Sequence, residues 1–229
     1  MSSAPDRIDT SVRPPTIGDV PKALWMLIAI MAVIELFLTG ADQGLVGTPD
    51  WRGFAFLYGA FWDPLTTGAA EPVFSLQPYT MYLTHALLHA DLFHLLMNSV
   101  ILLSIGKLIA EQAGVNAMLL LFVVCAIGGG IGFALLADTN IPAIGASGAV
   151  FGFLAVWQYW DGVIRRARGL SLKPVFQTIA GLIILNIVLA LWMQGGLAWQ
   201  AHLGGFIAGL AMGPVMTHYA RQNTAHRQS

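Results

Sequence analysis

Six polar residues stand out in a chain that is otherwise short of them. His85, His89, His94 and Asn98 fall close together in one stretch, Ser147 begins an apolar run, and His202 sits near the start of another. A serine hydroxyl is a weak nucleophile until a neighbouring base, most often an imidazole, takes its proton. The tetrahedral oxyanion that follows needs hydrogen-bond donors, which a backbone N–H at a helix start and an Asn or His side chain can supply. These residue types therefore point to acyl transfer through a serine. Gly145-Ala146-Ser147-Gly148 follows Pro142 and leads straight into the apolar run. That order predicts a tight turn with Ser147 near a helix N-terminus.

The elements that must position these groups are hydrophobic helices. Of 229 residues, 56% are hydrophobic and only 10% charged, and the mean hydropathy is +0.69. A compact body of this size in water needs more polar surface than that. Six apolar stretches run approximately from Ala23 to Leu38, Leu92 to Ala110, Ala117 to Leu136, Ser147 to Trp160, Val175 to Met193 and Trp199 to His218. Most approach the ~20 residues a helix needs to cross a hydrocarbon core. The fourth is shorter, about 20 Å at 1.5 Å per residue, which predicts a serine recessed below the outer surface.

Lys and Arg in short loops are retained on the cytoplasmic side. Arg7, Arg13 and Lys22 precede the first stretch, Lys107 is read at the second connection, Arg165, Arg166, Arg168 and Lys173 join the fourth to the fifth, and Arg221 and Arg227 follow the sixth. Ten of the 11 basic residues thus share one side, with Arg52 the exception. The expectation is an all-α polytopic membrane protein with six transmembrane helices and both termini cytoplasmic. Residues 1–22 form a flexible cytoplasmic tail, 23–219 the membrane domain with a long interfacial first loop at 39–82, and 220–229 a cytoplasmic C-terminal tail. In this topology the second, fourth and sixth helices all run inward, so His94, Asn98, Ser147 and His202 share one depth.

Each feature alone has a plainer reading. Gly-x-Ser-Gly and the Gly205/Gly209 pair suit close helix packing, and a lone His202 suits an interhelical hydrogen bond. His85 precedes the span and is expected to face the interface. A metal site would need ligand spacing that is missing: there is no His-Glu-x-x-His and only one cysteine, Cys125. A net charge of −1 offers no basic face for nucleic acid.

Taken jointly, the motifs resemble the rhomboid family of intramembrane serine proteases. Three signatures match in order: His89-x4-His94-x3-Asn98, Gly145-Ala146-Ser147-Gly148, and Ala201-His202-Leu203-Gly204-Gly205 with Gly209. The resemblance covers about Met26 to Met216. It implies a serine endopeptidase acting in or near transmembrane segments of membrane-protein substrates, with Ser147 as nucleophile and His202 as general base in a two-residue dyad. It implies that His94 and Asn98 stabilise the oxyanion, with His89 and Gly145 in supporting positions. Phe151 would pack under His202 where many relatives carry tyrosine, and Gly205 and Gly209 would let the sixth helix approach the fourth.

No acidic third member is evident, so the imidazole is expected to be oriented by packing. A Trp-Arg pair found in some relatives is replaced by Thr80-Met81, and Trp51-Arg52 is not equated with it. Glu111, near Gly114, is read as a structural inner-side contact, while Glu35 has no assigned role. The family further implies small residues at the cleaved position, lateral entry near the fifth helix, a lid before the sixth, and no cofactor or metal. The partners are transmembrane substrates and the lipid bilayer, with no nucleic acid and no oligomeric state specified. The expected location is a bacterial cytoplasmic membrane, with the site toward the outer side. Three alternatives stay open: a catalytically silent relative that binds membrane clients, a metal-dependent enzyme using His85, His89, His94 and His202, and a transporter.

Overall fold

The computed structural model describes residues 20–194 and 196–228. Most of the expected N-terminal tail, with Arg7 and Arg13, lies outside the described residues. Among the described residues nine α-helices follow one another: α1 (Lys22–Asp42), α2 (Trp51–Gly59), α3 (Pro64–Thr67), α4 (Gln77–Thr84), α5 (Leu92–Ala113), α6 (Val115–Leu136), α7 (Ser147–Ala167), α8 (Lys173–Trp192) and α9 (Trp199–Gln228). A 3-10 turn at His85–Leu87 separates α4 from α5. Among the described residues the only β pairing is an isolated bridge between Phe61 and Ala143.

Four helices, α1, α5, α6 and α8, are long and apolar enough to cross a membrane. α7 and α9 match them in length but are diluted by glycine and polar side chains. Two expectations need correction. α7 is not short: it runs 21 residues, about 31 Å, because Asp161, Arg165 and Arg166 continue the helix beyond the apolar stretch, with Arg165 Nε 2.6 Å from Asp161 Oδ2 one turn away. A recessed Ser147 therefore does not follow from helix length. Lys107 is not in a connection, since α5 extends to Ala113 and only Gly114 separates it from α6. The Lys107 side chain is buried, with Nζ 3.5 Å from Glu111 Oε1. Glu111 makes a structural contact, its backbone carbonyl accepting from Asn223 Nδ2 of α9 at 3.1 Å. α9 itself continues past residue 219, so the expected C-terminal tail is helical as far as Gln228.

The loop between α1 and α5 is a folded unit. Glu35, fully buried in α1, meets Arg52 of α2 through two bonds: Arg52 Nη2 to Oε1 at 2.8 Å and Nη1 to Oε2 at 3.0 Å. The paired geometry suits the planar guanidinium fork. Arg52 also donates from Nε to Asp42 at 2.6 Å and from Nη1 to the His89 carbonyl at 3.0 Å, and Thr39 donates to Glu35 at 2.9 Å. The hydrogen bond to Glu35, ahead of the other contributions, holds the guanidinium above its ordinary pKa. One cation thus ties α1, α2 and the segment entering α5. This gives Glu35 a role, and it gives Arg52, the exception to the charge pattern, partners in the fold. Gln77 closes the rest of the loop, donating to Leu57 O at 2.6 Å and accepting from Val73 N at 2.7 Å.

The bundle centre is the packing of α7 against α9, with α6 and α5 around them. Lipid offers no hydrophobic drive between helices, so they are held by close contact of small residues. A Cβ built on Gly205 or Gly209 would run into the carbonyls of Gly148 and Gly152. Gly204 faces Gly128 and Gly132 of α6 in the same way. Further along, Trp160 Nε1 donates to Thr217 Oγ1 at 3.0 Å. α8 stands apart, with no buried residue and with Ile183, Ile184 and Leu191 exposed.

Four outcomes follow for stability in detergent. Gly205→Ala, whose methyl meets backbone, should lower stability by about 2 kcal/mol or more, visible as a fall in the thermal midpoint. Gly181→Ala on α8, where the added methyl meets nothing within 4 Å, should leave the midpoint unchanged. Arg52→Met, which strands the Glu35 charge, should cost about 3 kcal/mol, and Glu35→Met in the same chain should restore much of it.

Candidate functional site

The site forms where the starts of α5, α7 and α9 meet α8. α5 begins at a defined residue because the Asp91 side chain caps it, Oδ1 accepting the His94 N–H at 2.8 Å. This puts His94 in the first turn and Asn98 one turn below, its Nδ2 donating to the His94 carbonyl at 3.0 Å. α7 begins at Ser147 because the preceding segment is pinned on both sides. Phe61 and Ala143 exchange backbone bonds at 2.9 and 2.8 Å, Trp62 Nε1 donates to Asn140 O at 3.2 Å, and Gly145 N donates to His85 O at 2.9 Å. The segment Asp138-Thr139-Asn140 is thus tied to the first loop through the Asn140 carbonyl, with Asp138 and Asn140 themselves exposed. Gly145 has φ of 110°, and a Cβ there would lie 2.6 Å from His94 Cε1 and 3.8 Å from Asn98 Nδ2. Only glycine both adopts this backbone and leaves room for the imidazole.

Ser147 and His202, 55 residues apart, meet with Nε2 2.8 Å from Oγ. His202 is 6% exposed. Its ring lies flat on Phe151, centroids 4.4 Å apart and planes 9° from parallel, so the expected packing partner is in place. Being the first residue of α7, Ser147 carries a backbone N–H with no carbonyl one turn back to receive it. The positive end of the helix faces the same spot. A hydroxyl, an imidazole within hydrogen-bond reach of it and a free helix-start N–H thus lie together.

His94, Asn98 and Gly145 form the neighbouring wall. Behind them His89 is fully buried, edge-on to the His94 ring at 5.1 Å, with its carbonyl held by Arg52. Burial, with the nearby His94 adding to it, pushes the His89 imidazole down to about 3 and keeps it neutral. His85 does not face the interface as expected. It is buried, its Nδ1–H donating to Met81 O at 2.9 Å and its ring edge-on to Phe61, and it serves the turn that positions Gly145. Gly205 and Gly209 lie on the α9 face that contacts α7.

One residue at the site was not expected. Asn186 of α8 places Oδ1 2.6 Å from His202 Nδ1. The imidazole is therefore held by a hydrogen bond as well as by packing. The signal was present, since Asn186 is a lone carboxamide among Ile183, Ile184, Leu185, Ile187 and Val188, and polar groups inside spans are costly unless used. A cavity of about 530 Å³ opens beside it between α8 and α9, bordered by Phe151, Asn186, His202 and Phe206. Its size suits a side chain or two of a bound ligand.

The family model for the Rhomboid domain matches residues 76–219. The chain is 34% identical over 134 residues to RHOMBOID-like protein 2 of Arabidopsis thaliana, covering 56% of this chain and 39% of that protein. It is 31% identical over 127 residues to Rhomboid protease GluP of Bacillus subtilis, 56% of this chain and 24% of the relative. An uncharacterized protein of Mycobacterium tuberculosis is 30% identical over 148 residues, 62% of this chain and 61% of that one. The matched stretch thus spans less than two thirds of each of these relatives.

Proposed function

The chain belongs to the Rhomboid family, an integral membrane protein, and from that premise we propose that it is an intramembrane serine endopeptidase. The single observation that carries this reading is the 2.8 Å contact between Ser147 Oγ and His202 Nε2. The Ser147 hydroxyl donates to Nε2. As Oγ attacks the scissile carbonyl carbon, its proton passes to the imidazole and the carbonyl oxygen becomes an oxyanion. The Ser147 N–H, the end of α7 and the side chains of His94 and Asn98 receive that charge. The imidazolium then gives its proton to the departing amine, leaving an acyl-serine. Water, deprotonated by the same imidazole, hydrolyses the ester and restores the hydroxyl. Phe151 holds the ring from one face, and the glycines of α9 set its distance from α7. His89 and Gly145 support the oxyanion wall.

The substrates in this reading are membrane proteins cut in or near a transmembrane segment. Their helix must unwind locally, because a helical carbonyl is already hydrogen-bonded. Small residues at the cut and helix-weakening neighbours suit that need. Entry from the side near α8 is supported by that helix's lack of buried residues and by the apolar cavity behind it; the segment before α9 serves as the lid. We take α1, α5, α6, α7, α8 and α9 as six spans with both termini cytoplasmic and the site toward the outer side. The membrane is a bacterial cytoplasmic one. The protease named among the relatives supports the same activity.

A transmembrane reporter reconstituted with the purified chain tests this reading. Cleavage should vanish in Ser147→Ala and in His202→Ala, persist in EDTA, and slow in Asn98→Ala by about 3 kcal/mol of transition-state stabilisation, on the order of a hundred-fold. Undiminished cleavage by Ser147→Ala would remove the nucleophile assignment. A reporter that is bound but never cut would favour the silent, client-binding alternative.

A further inference from the structure

His202 is held at both ring nitrogens, and the two contacts are not equivalent. Nε2 faces Ser147 Oγ at 2.8 Å, while Nδ1 faces Asn186 Oδ1 at 2.6 Å. The amide's other end shows why its oxygen points at the ring: Asn186 Nδ2 donates to the Leu182 carbonyl at 3.0 Å, one turn earlier in α8. A carboxamide oxygen only accepts, so the proton of the neutral imidazole must sit on Nδ1. Nε2 then carries the lone pair, turned to the serine hydroxyl. This is the one tautomer in which the ring can take the serine proton.

Resting on the reading of Ser147 and His202 as nucleophile and base, we infer that Asn186 is a third, positioning residue of the reaction. It selects the imidazole tautomer, fixes the ring's rotation above Phe151, and receives the Nδ1–H when Nε2 accepts the serine proton. That proton moves from Oγ to Nε2 and later to the leaving amine, while the Nδ1 proton stays in place throughout. The same division of labour is met where an asparagine orients the histidine of a cysteine nucleophile.

The surroundings leave Nδ1 little choice of partner, since the cavity wall beside it presents Leu182, Ile183, Ile187 and Phe206. Asn186 also answers a question about α8. Among the described residues, the bond to His202 is the one side-chain hydrogen bond that joins α8 to another helix. The dyad distance is thus set by α7 and α9, and the ring's tautomer by a helix that packs loosely on both.

The full-length chain with ¹⁵N-labelled histidine, in detergent micelles at neutral to mildly alkaline pH, tests this directly. Two-bond ¹H–¹⁵N spectra, with the His202 signals identified by their loss in His202→Ala, should show a protonated Nδ1 and a bare Nε2. Free imidazole side chains in water prefer the opposite tautomer, so this is not the default result. Asn186→Leu, similar in volume but without an acceptor, should move the ring toward the Nε2–H form. It should also lower kcat on the reporter by about ten- to a hundred-fold, with KM changed less than about twofold. A wild-type ring protonated on Nε2, or an Asn186→Leu chain that keeps its kcat or changes only KM, would overturn the assignment. The spectrum needs no turnover, so a chain that cuts nothing would count against the protease reading while the tautomer still decides the role of Asn186.

Discussion

Two helix backbones in this protein approach more closely than any side chain with a Cβ would permit. Gly205 and Gly209 of α9 lie against the Gly148 and Gly152 carbonyls of α7, and everything proposed for the site depends on that approach. Ser147 heads one of these helices and His202 occupies the first turn of the other. With larger residues at the contact, the helices would part and the 2.8 Å bond between hydroxyl and imidazole would open. In water a hydrophobic core would tolerate some separation by repacking. Between lipids as apolar as leucine, contact itself is the main attraction, so the packing that joins the helices is also what aligns the chemistry.

A second constraint governs the polar groups. Inside a bilayer each must find its partner within the chain, and the partners here come in linked sets. Glu35 is neutralised by Arg52, which also holds the carbonyl of His89. His89 lies against His94, and His94 shares the space left by Gly145. The folded first loop, remote from the serine in sequence, is thereby continuous with the wall formed by His94, Asn98 and Gly145. On the other side Asn186 links α8 to His202. The serine and imidazole at the centre are buttressed from both directions by groups that have nowhere else to turn.

How much of this could be read from the residues alone depended on whether the signal was local. The helical class and most of the helix positions followed from runs of apolar residues, and the closeness of Ser147, His202, Phe151, Gly205 and Gly209 followed from the family resemblance that their motifs carry. The end of α7 did not, because a helix can continue through Asp161, Arg165 and Arg166 after its hydropathy stops. Lys107 was misplaced for a different reason: it lies inside the Leu92–Ala110 run itself and was assigned to the connection by its charge, whereas the helix keeps it buried one turn from Glu111. The partner of Glu35 was hidden by a different cause. An ion pair between α1 and α2 is a tertiary fact, and Arg52 looked only like an exception to a charge rule. Asn186 carried a local signal, a carboxamide among isoleucines, but it belongs to no motif. His85 was assigned by its position before the span, whereas the turn at His85–Leu87 folds it inward.

The central claim is that Ser147 is an activated nucleophile, made so by His202. The most direct measurement is mass spectrometry of the intact chain and of its peptides after exposure to a fluorophosphonate. The account predicts a single covalent adduct on Ser147, lost when His202 is replaced by alanine. A chain that stays unmodified, an adduct on another residue, or labelling of Ser147 that does not depend on His202 would contradict it.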